Sequence, residues 1–254
     1  MDRLEKAMEK ARQARGAPNG ASAQGYADAM AALHATVDVA EDILDRNRIV
    51  AHHPRRPEAD IFRILRTQIL QAMNKSGFKT LAVTSPRYGD GKTTIALNLA
   101  LSIALDLKQT VLLVDLDFRK PMIHELLGLP RGAGLTDCLI DEVPIAGCLA
   151  RLPFERLSVL PAGAPLDNSS EILGSPRMAA LARELKTRYP DRLVIYDMPP
   201  VLAQDDPIAF LPHVDTALVV VRDGVTREAE LKACLDMLDG APILGTVLNA
   251  VAHG

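Results

Sequence analysis

The sequence predicts an α/β fold: a mostly parallel β-sheet with helices on both faces, preceded by an N-terminal helical extension. Three observations predict it. Short, almost uniformly apolar runs recur along the chain, as strands covered on both faces require. Amphipathic stretches of helical spacing separate them, giving the strand–helix alternation of a parallel sheet. A length of 254 residues with 48% hydrophobic content suits one such domain plus an extension.

The extension comes first. Met1 to Arg15 reads as a helix, with Met1, Leu4, Met8 and Ala11 at spacings of three and four. Its five basic and three acidic residues make a weak lipid anchor, so docking on a protein or packing on the main domain is preferred to an interfacial membrane helix. The Ala/Gly/Ser-rich "GAPNGASAQG" follows, then a second helix around Val37 to Arg46 and a Pro/Arg/His joint, "AHHPRRP", expected to be flexible. Composition shifts near residue 56, which divides the chain into an extension, 1–55, and a main domain, 56–254. The main domain opens on the helix "EADIFRILRTQIL", whose apolar side is expected to hold Ile61, Leu65 and Ile69. Asp60, Arg63 and Arg66 lie on neighbouring turns of its charged side. Strands are then expected at "LAVT", "VLLVD", "LSVLPAG", "LVIYD", "ALVVVR" and "ILGTVLN", with helices at Thr93 to Leu107, Pro176 to Arg188 and Thr226 to Leu238.

The first strand leads into "SPRYGDGKTT". Gly91, Lys92 and Thr93 fit the end of a phosphate-binding loop, while Pro86 stands where the first glycine belongs. A strand before the loop and a helix after it put backbone N–H groups and the positive end of a helix dipole around a phosphate. Lys92 would reach the outer phosphates, the Thr93 hydroxyl could bind Mg²⁺, and Gly89 and Gly91 permit close backbone approach. A Gly-Lys-Thr run can also be an ordinary turn into a helix; its flanks favour nucleotide binding. Asp115 and Asp117 end the second strand and Asp197 ends another. In open α/β sheets ligands sit at the carboxyl ends of strands, so the three carboxylates could converge on that loop. Mg²⁺ prefers such hard oxygen ligands. Any one of these acids could merely cap the following helix; three beside a phosphate loop make that reading weak.

Other classes are excluded or disfavoured. A net charge of −3 implies no general affinity for nucleic acid. Cys138, Cys148 and Cys234 form no CxxC pair, which suits a reducing compartment and neither a disulfide framework nor a cysteine zinc site. No apolar run approaches the roughly 18 to 20 residues of a membrane span, and "MDRLEKAMEK" holds no signal core. The expected location is the cytoplasm, with any membrane role exercised through a partner.

Together these segments resemble the bacterial tyrosine kinases of the polysaccharide co-polymerase type, over roughly residues 56 to 249. Ser85, Gly89, Gly91, Lys92 and Thr93 match that family's loop, with Tyr88 in place of a proline and Asp90 in place of a glutamate. That loop does without the first glycine of the ordinary motif. Asp115, Asp117 and Arg119 match its second motif; Asp197, Pro199 and Pro200 match its third, with Met198 replacing a hydroxyl residue. The resemblance implies that Ser85, Gly89, Asp90, Gly91, Lys92, Thr93, Thr94 and Asn249 bind ATP. Thr93, Asp115 and Asp197 would hold Mg²⁺, and Lys92, Asp115, Asp117 and Asp197 would form the catalytic set. Either Asp115 or Asp117 would orient the acceptor and take its proton. Asp60, Arg63 and Arg66 fall on a family motif for subunit contacts in a homo-oligomer, with the acid one carbon shorter. An integral-membrane polysaccharide co-polymerase is the implied partner, acting through its cytoplasmic segment and placing the kinase peripherally at the inner membrane.

A kinase of this type needs an acceptor, and the family's tyrosine-rich tail has no counterpart after the final strand. Of the four tyrosines, Tyr196 lies in an apolar strand, Tyr88 in the phosphate loop and Tyr189 at a helix end. Tyr26, in a small-residue segment, is the candidate phosphoacceptor, in trans. Two other classes share the pattern. A partitioning or division-site switch ATPase would call for lysine where Arg87 stands, and a nucleotide-binding regulator would bind without transferring phosphate.

Overall fold

The computed structural model describes residues 38–251 except Leu107. The expected Met1–Arg15 helix and Tyr26 lie outside these residues. The chain begins with α1 (Glu41–Arg46) and α2 (Pro57–Ser76). It continues through β1 (Thr80–Thr84), α3 (Lys92–Ala104), β2 (Thr110–Asp115), α4 (Ile123–Leu126) and α5 (Leu135–Ile140). Next come β3 (Ala150–Arg151), β4 (Leu157–Leu160), α6 (Ser169–Leu173), α7 (Pro176–Thr187) and β5 (Arg192–Asp197). α8 (Asp206–Phe210), β6 (Thr216–Arg222), α9 (Glu228–Met237) and β7 (Ile243–Asn249) complete it. Local chemistry sets several boundaries. Pro57 starts α2 and Gly77 ends it in the left-handed region, at φ 69°. Ser175 caps α7 by accepting a bond from the Met178 N–H, with Pro176 in the first turn.

The sheet has seven strands in the order β3-β4-β2-β5-β1-β6-β7. All pairings are parallel except β3 with β4. The six expected strands are present; β3 is two residues long, too short to carry a periodic signal. Strand residues alternate between two apolar layers. Val111 and Leu113 of β2, with Leu193 and Ile195 of β5, face the layer containing α2 and α3. Leu112, Val114, Val194 and Tyr196 face the layer containing α5 and α7. This two-sided covering is why the strands are nearly all apolar. Among the described residues no helix is long and apolar enough to cross a membrane.

Two expectations change. The joint at residues 51–57 is not loose: Val39, Leu44, Ile49 and Ala51 are buried in the same layer as Leu97 and Leu101 of α3. Asn98, buried in α3, holds them there. Its Oδ1 accepts the N–H groups of Val50 (2.7 Å) and Ala51 (2.9 Å), and its Nδ2 donates to the Arg48 carbonyl (2.9 Å). Asn47 adds a bond to the Leu126 carbonyl at 2.9 Å. Polar and proline-rich composition reads as flexible, but here one buried amide satisfies three backbone groups at the start of the segment, and Arg63 binds the carbonyls of His53 and Pro54. The second change concerns α2. Its covered side runs through Ala59, Ile69 and Met73, while Ile61 and Ile64 are 55% and 61% exposed. At about 100° per residue, Ile61 and Ile64 point well away from the Ala59–Ile69–Met73 direction.

Asn98→Ala would leave two backbone N–H groups and a carbonyl unpaired. It should lower stability in urea unfolding by about 2–4 kcal/mol and open residues 48–56 to proteolysis. A loss below about 1 kcal/mol would show that the segment is held by its apolar residues alone.

Candidate functional site

Strand order dictates what the site contains. β5 lies between β2 and β1, and Asp115 pairs in register with Asp197 at the carboxyl ends of their strands. The loop after β1 enters α3 beside them, so the sheet delivers two carboxylates and a helix N-terminus to one place.

The loop is built on its own backbone. Ser85 is buried and its hydroxyl donates to the Arg87 carbonyl at 2.8 Å. Asp90 turns inward, its carboxylate accepting the Arg87 N–H at 2.9 Å and the Thr226 hydroxyl at 3.3 Å. Gly91, at φ 93°, precedes α3 directly. A side chain there would meet the Asn249 amide, which donates to the Asp90 carbonyl at 2.8 Å. Thus Asn249, at the end of β7, closes one wall of the loop. Between α1, α2, α3 and the end of β7 lies a cavity of about 660 Å³, lined in part by Thr94, Ile95, Val247 and Asn249.

Lys92 is the first residue of α3 and is almost wholly buried. Its ammonium lies 3.1 Å from the Asp117 carboxylate, 3.6 Å from that of Asp197 and 3.2 Å from the Thr93 hydroxyl. Burial alone would lower its pKa; the charges of Asp197, Asp117 and Asp115 outweigh that and raise it. The Thr93 hydroxyl donates to Asp197 at 2.7 Å. Asp115 accepts the backbone N–H groups of Asp117 (3.1 Å) and Ile123 (3.2 Å), and Asp117 accepts that of Lys120 (3.0 Å). Asp115, Asp117 and Asp197 are all buried. Burial, reinforced by Asp197, pushes Asp115 up to about 8, and burial raises Asp197 as well. Three carboxylates around one ammonium make a site short of positive charge, with oxygen donors suited to a hard divalent cation.

The residues expected at a subunit contact lie apart from this cluster. Asp60, Arg63 and Arg66 lie on α2, and both arginines are engaged within the chain. Arg63 pairs with Asp60 and donates to the carbonyls of His53 (3.0 Å) and Pro54 (2.9 Å); Arg66 donates to the Ser102 carbonyl at 2.8 Å. The Met198 side chain packs in the core. Sequence reasoning missed the rim of the site. The Tyr88 ring lies under the Lys120 ammonium at 4.2 Å and its hydroxyl bonds to Gln204. Arg119, matched only as a motif marker, donates to the Ser169 hydroxyl at 3.1 Å and faces Asp205 at 3.8 Å. No spacing signal joins Gln204, Asp205 or Ser169 to the phosphate loop.

The buried acids carry a pH signature. The folded-state pKa of Asp115 lies above its ordinary 3.8, so the folded protein keeps a proton that the unfolded chain releases. Its contribution to stability is full below about pH 4 and is lost as pH rises towards about 8; Asp197 acts in the same direction. In EDTA, Asp197→Asn should therefore gain on the wild type in urea unfolding as pH rises from about 5 to about 8. A difference that does not change with pH would contradict this charge arrangement.

Known proteins resemble this chain in sequence and in fold. Residues 78–223 match the model of an AAA domain. The chain is 35% identical over 194 residues to the tyrosine-protein kinase Wzc of Salmonella typhi, covering 76% of this chain but only 27% of that protein. It is 31% identical over 208 residues to the tyrosine-protein kinase YwqD of Bacillus subtilis, covering 81% of this chain and 86% of that one. The kinase domain of the Escherichia coli tyrosine kinase ETK superposes with a TM-score of 0.73 at 28% identity, over 81% of this chain and 82% of that one. The domain match across the loop and acidic motifs, together with a relative matched over most of its length, gives the conclusion that this chain belongs to the bacterial tyrosine-protein kinases.

Proposed function

We propose that the chain is an ATP- and Mg²⁺-dependent protein-tyrosine kinase that regulates exopolysaccharide or capsule assembly with a membrane co-polymerase. The observation that carries the chemistry is the buried charge imbalance: Asp115, Asp117 and Asp197 around the single ammonium of Lys92. Thr93, Asp115 and Asp197 would hold Mg²⁺, which when bound supplies positive charge against the outer phosphate oxygens. Lys92 and the N–H groups at the start of α3 bind the phosphates. The cavity beside Thr94 and Asn249 takes the nucleoside. A tyrosine hydroxyl, with a pKa near 10, keeps its proton until late in a loose transfer, and Asp115 or Asp117 accepts it. The switch-ATPase reading is less well supported: Arg87, which stands where such an enzyme needs lysine, pairs with Glu230 of α9. The co-polymerase, and with it a peripheral place at the inner membrane, rests on the family resemblance.

For the acceptor, Tyr196 is buried and Tyr88 is tied to Gln204 at the rim of the phosphate loop. Tyr26 is our assignment for autophosphorylation in trans. Self-association is assigned to α2 around Asp60, Arg63 and Arg66, where Ile64 stands exposed and would be covered by a second copy.

Lys92→Met should lower kcat/KM for ATP by at least about 100-fold while the domain stays folded, because a neutral side chain of similar length leaves the phosphate charge unmatched. Unchanged efficiency would remove the nucleotide-site assignment. With Mg-ATP, intact-mass and peptide mapping should find phosphate in the wild type and none in Tyr26→Phe. Phosphate persisting in the variant excludes Tyr26 as sole acceptor, and none in the wild type counts against autophosphorylation. Ile64→Glu should reduce the assembly state in light scattering with ATP affinity unchanged, whereas normal assembly would make α2 a solvated face.

A further inference from the structure

The joint between α1 and α2 brings together Glu41, His52 and His53, each offering one ligand atom, with those atoms all within 4.8 Å of one another. The His53 Nδ1 lies 3.7 Å from a Glu41 carboxylate oxygen. Two ligands of one tetrahedral ion, each bound at about 2.1 Å, stand roughly 3.4 Å apart. The other nitrogen of His53, Nε2, is 3.1 Å from the Asp45 carboxylate. Asp45 is itself held by two bonds from Arg56, at 2.6 and 2.9 Å. A carboxylate that accepts the Nε2 proton leaves Nδ1 as the lone-pair donor, which is the arrangement that orients metal-bound histidines. His52 supplies the second observation. Both of its ring nitrogens are buried without a hydrogen-bond partner, although its ring stacks at 4.0 Å on that of His53. The His52 side chain is half-buried, but ring nitrogens shut off from solvent with neither satisfied cost stability unless something else binds them.

We propose that Glu41, His52 and His53 form a binding site for a borderline-soft divalent transition metal of the zinc class, with Asp45 positioning His53. Two imidazoles and one carboxylate suit that class; Mg²⁺, which prefers oxygen, belongs at the separate acidic site around Asp115 and Asp197. Three protein ligands leave a fourth position for water. The site ties α1 to the segment whose Val50 and Ala51 N–H groups are bound by Asn98 of α3, so metal occupancy stiffens the support of the phosphate-loop helix.

The test is a titration of the untagged full chain with Zn²⁺ against a chromophoric chelator, in millimolar Mg²⁺ to fill the oxygen site. The wild type should bind one equivalent and show a rise in Tm with Zn²⁺. Asp45→Asn should weaken binding about 10–100-fold. Glu41→Gln, at a side chain that is 74% exposed, should weaken it at least about tenfold. His52→Ala should lose it, and Asp197→Asn should leave it unchanged. If the wild type binds no equivalent, or if binding persists in both Glu41→Gln and His52→Ala, the assignment is overturned. Metal-free unfolding curves of each variant separate loss of the site from loss of the fold.

Discussion

A lysine ammonium buried at the start of a helix must be matched by charge, and the arrangement of this molecule follows from that need. Lys92 cannot sit where it does without Asp117 and Asp197 within ion-pair distance, because an unpaired buried cation costs several kcal/mol. Those acids reach it only if β2 and β5 are neighbours and end at the same height, as their register provides. The loop in turn reaches that point only because Gly91 takes a left-handed backbone against the Asn249 amide. One electrostatic requirement therefore links strand order, register and loop conformation.

The same cluster overshoots its own neutralisation. Lys92 answers one of three carboxylates, and the remaining charge is accommodated in the free site by the raised pKa of Asp115 and Asp197. A cation held by these carboxylates would displace those protons, so its binding would be coupled to proton release. The raised pKa values also mean that the folded protein loses stability as pH rises towards neutrality.

A second polar anchor lies midway along α3. Asn98 satisfies three backbone groups of the segment between α1 and α2, while Arg66 and Arg63 fasten α2 to the Ser102 carbonyl and to the His53–Pro54 backbone. The residues before the sheet are therefore a brace on the phosphate-loop helix. The histidine cluster lies within that brace, where a bound metal would act on its stiffness.

Much of this was legible from the order of residues alone. Apolar strands alternating with helical patterns specify a parallel sheet because side chains on both faces must be buried. Asp115, Asp117, Asp197 and the loop Gly89–Thr93 could be read as one site because parallel strands all present their carboxyl ends to the same edge. What sequence spacing does not encode is which distant groups satisfy one another. Asn98 looks like any polar residue on a helix, "AHHPRRP" looks like a loose joint, and Ile61 looks like a core residue. Only the packing of α1 and α2 on α3 decided that the joint is bound, that Ile61 faces outward and that His52 and His53 meet Glu41. The reason is physical: periodicity reports which side of an element is apolar, whereas the pairing of buried polar groups depends on the positions of elements brought together by the chain from tens of residues away.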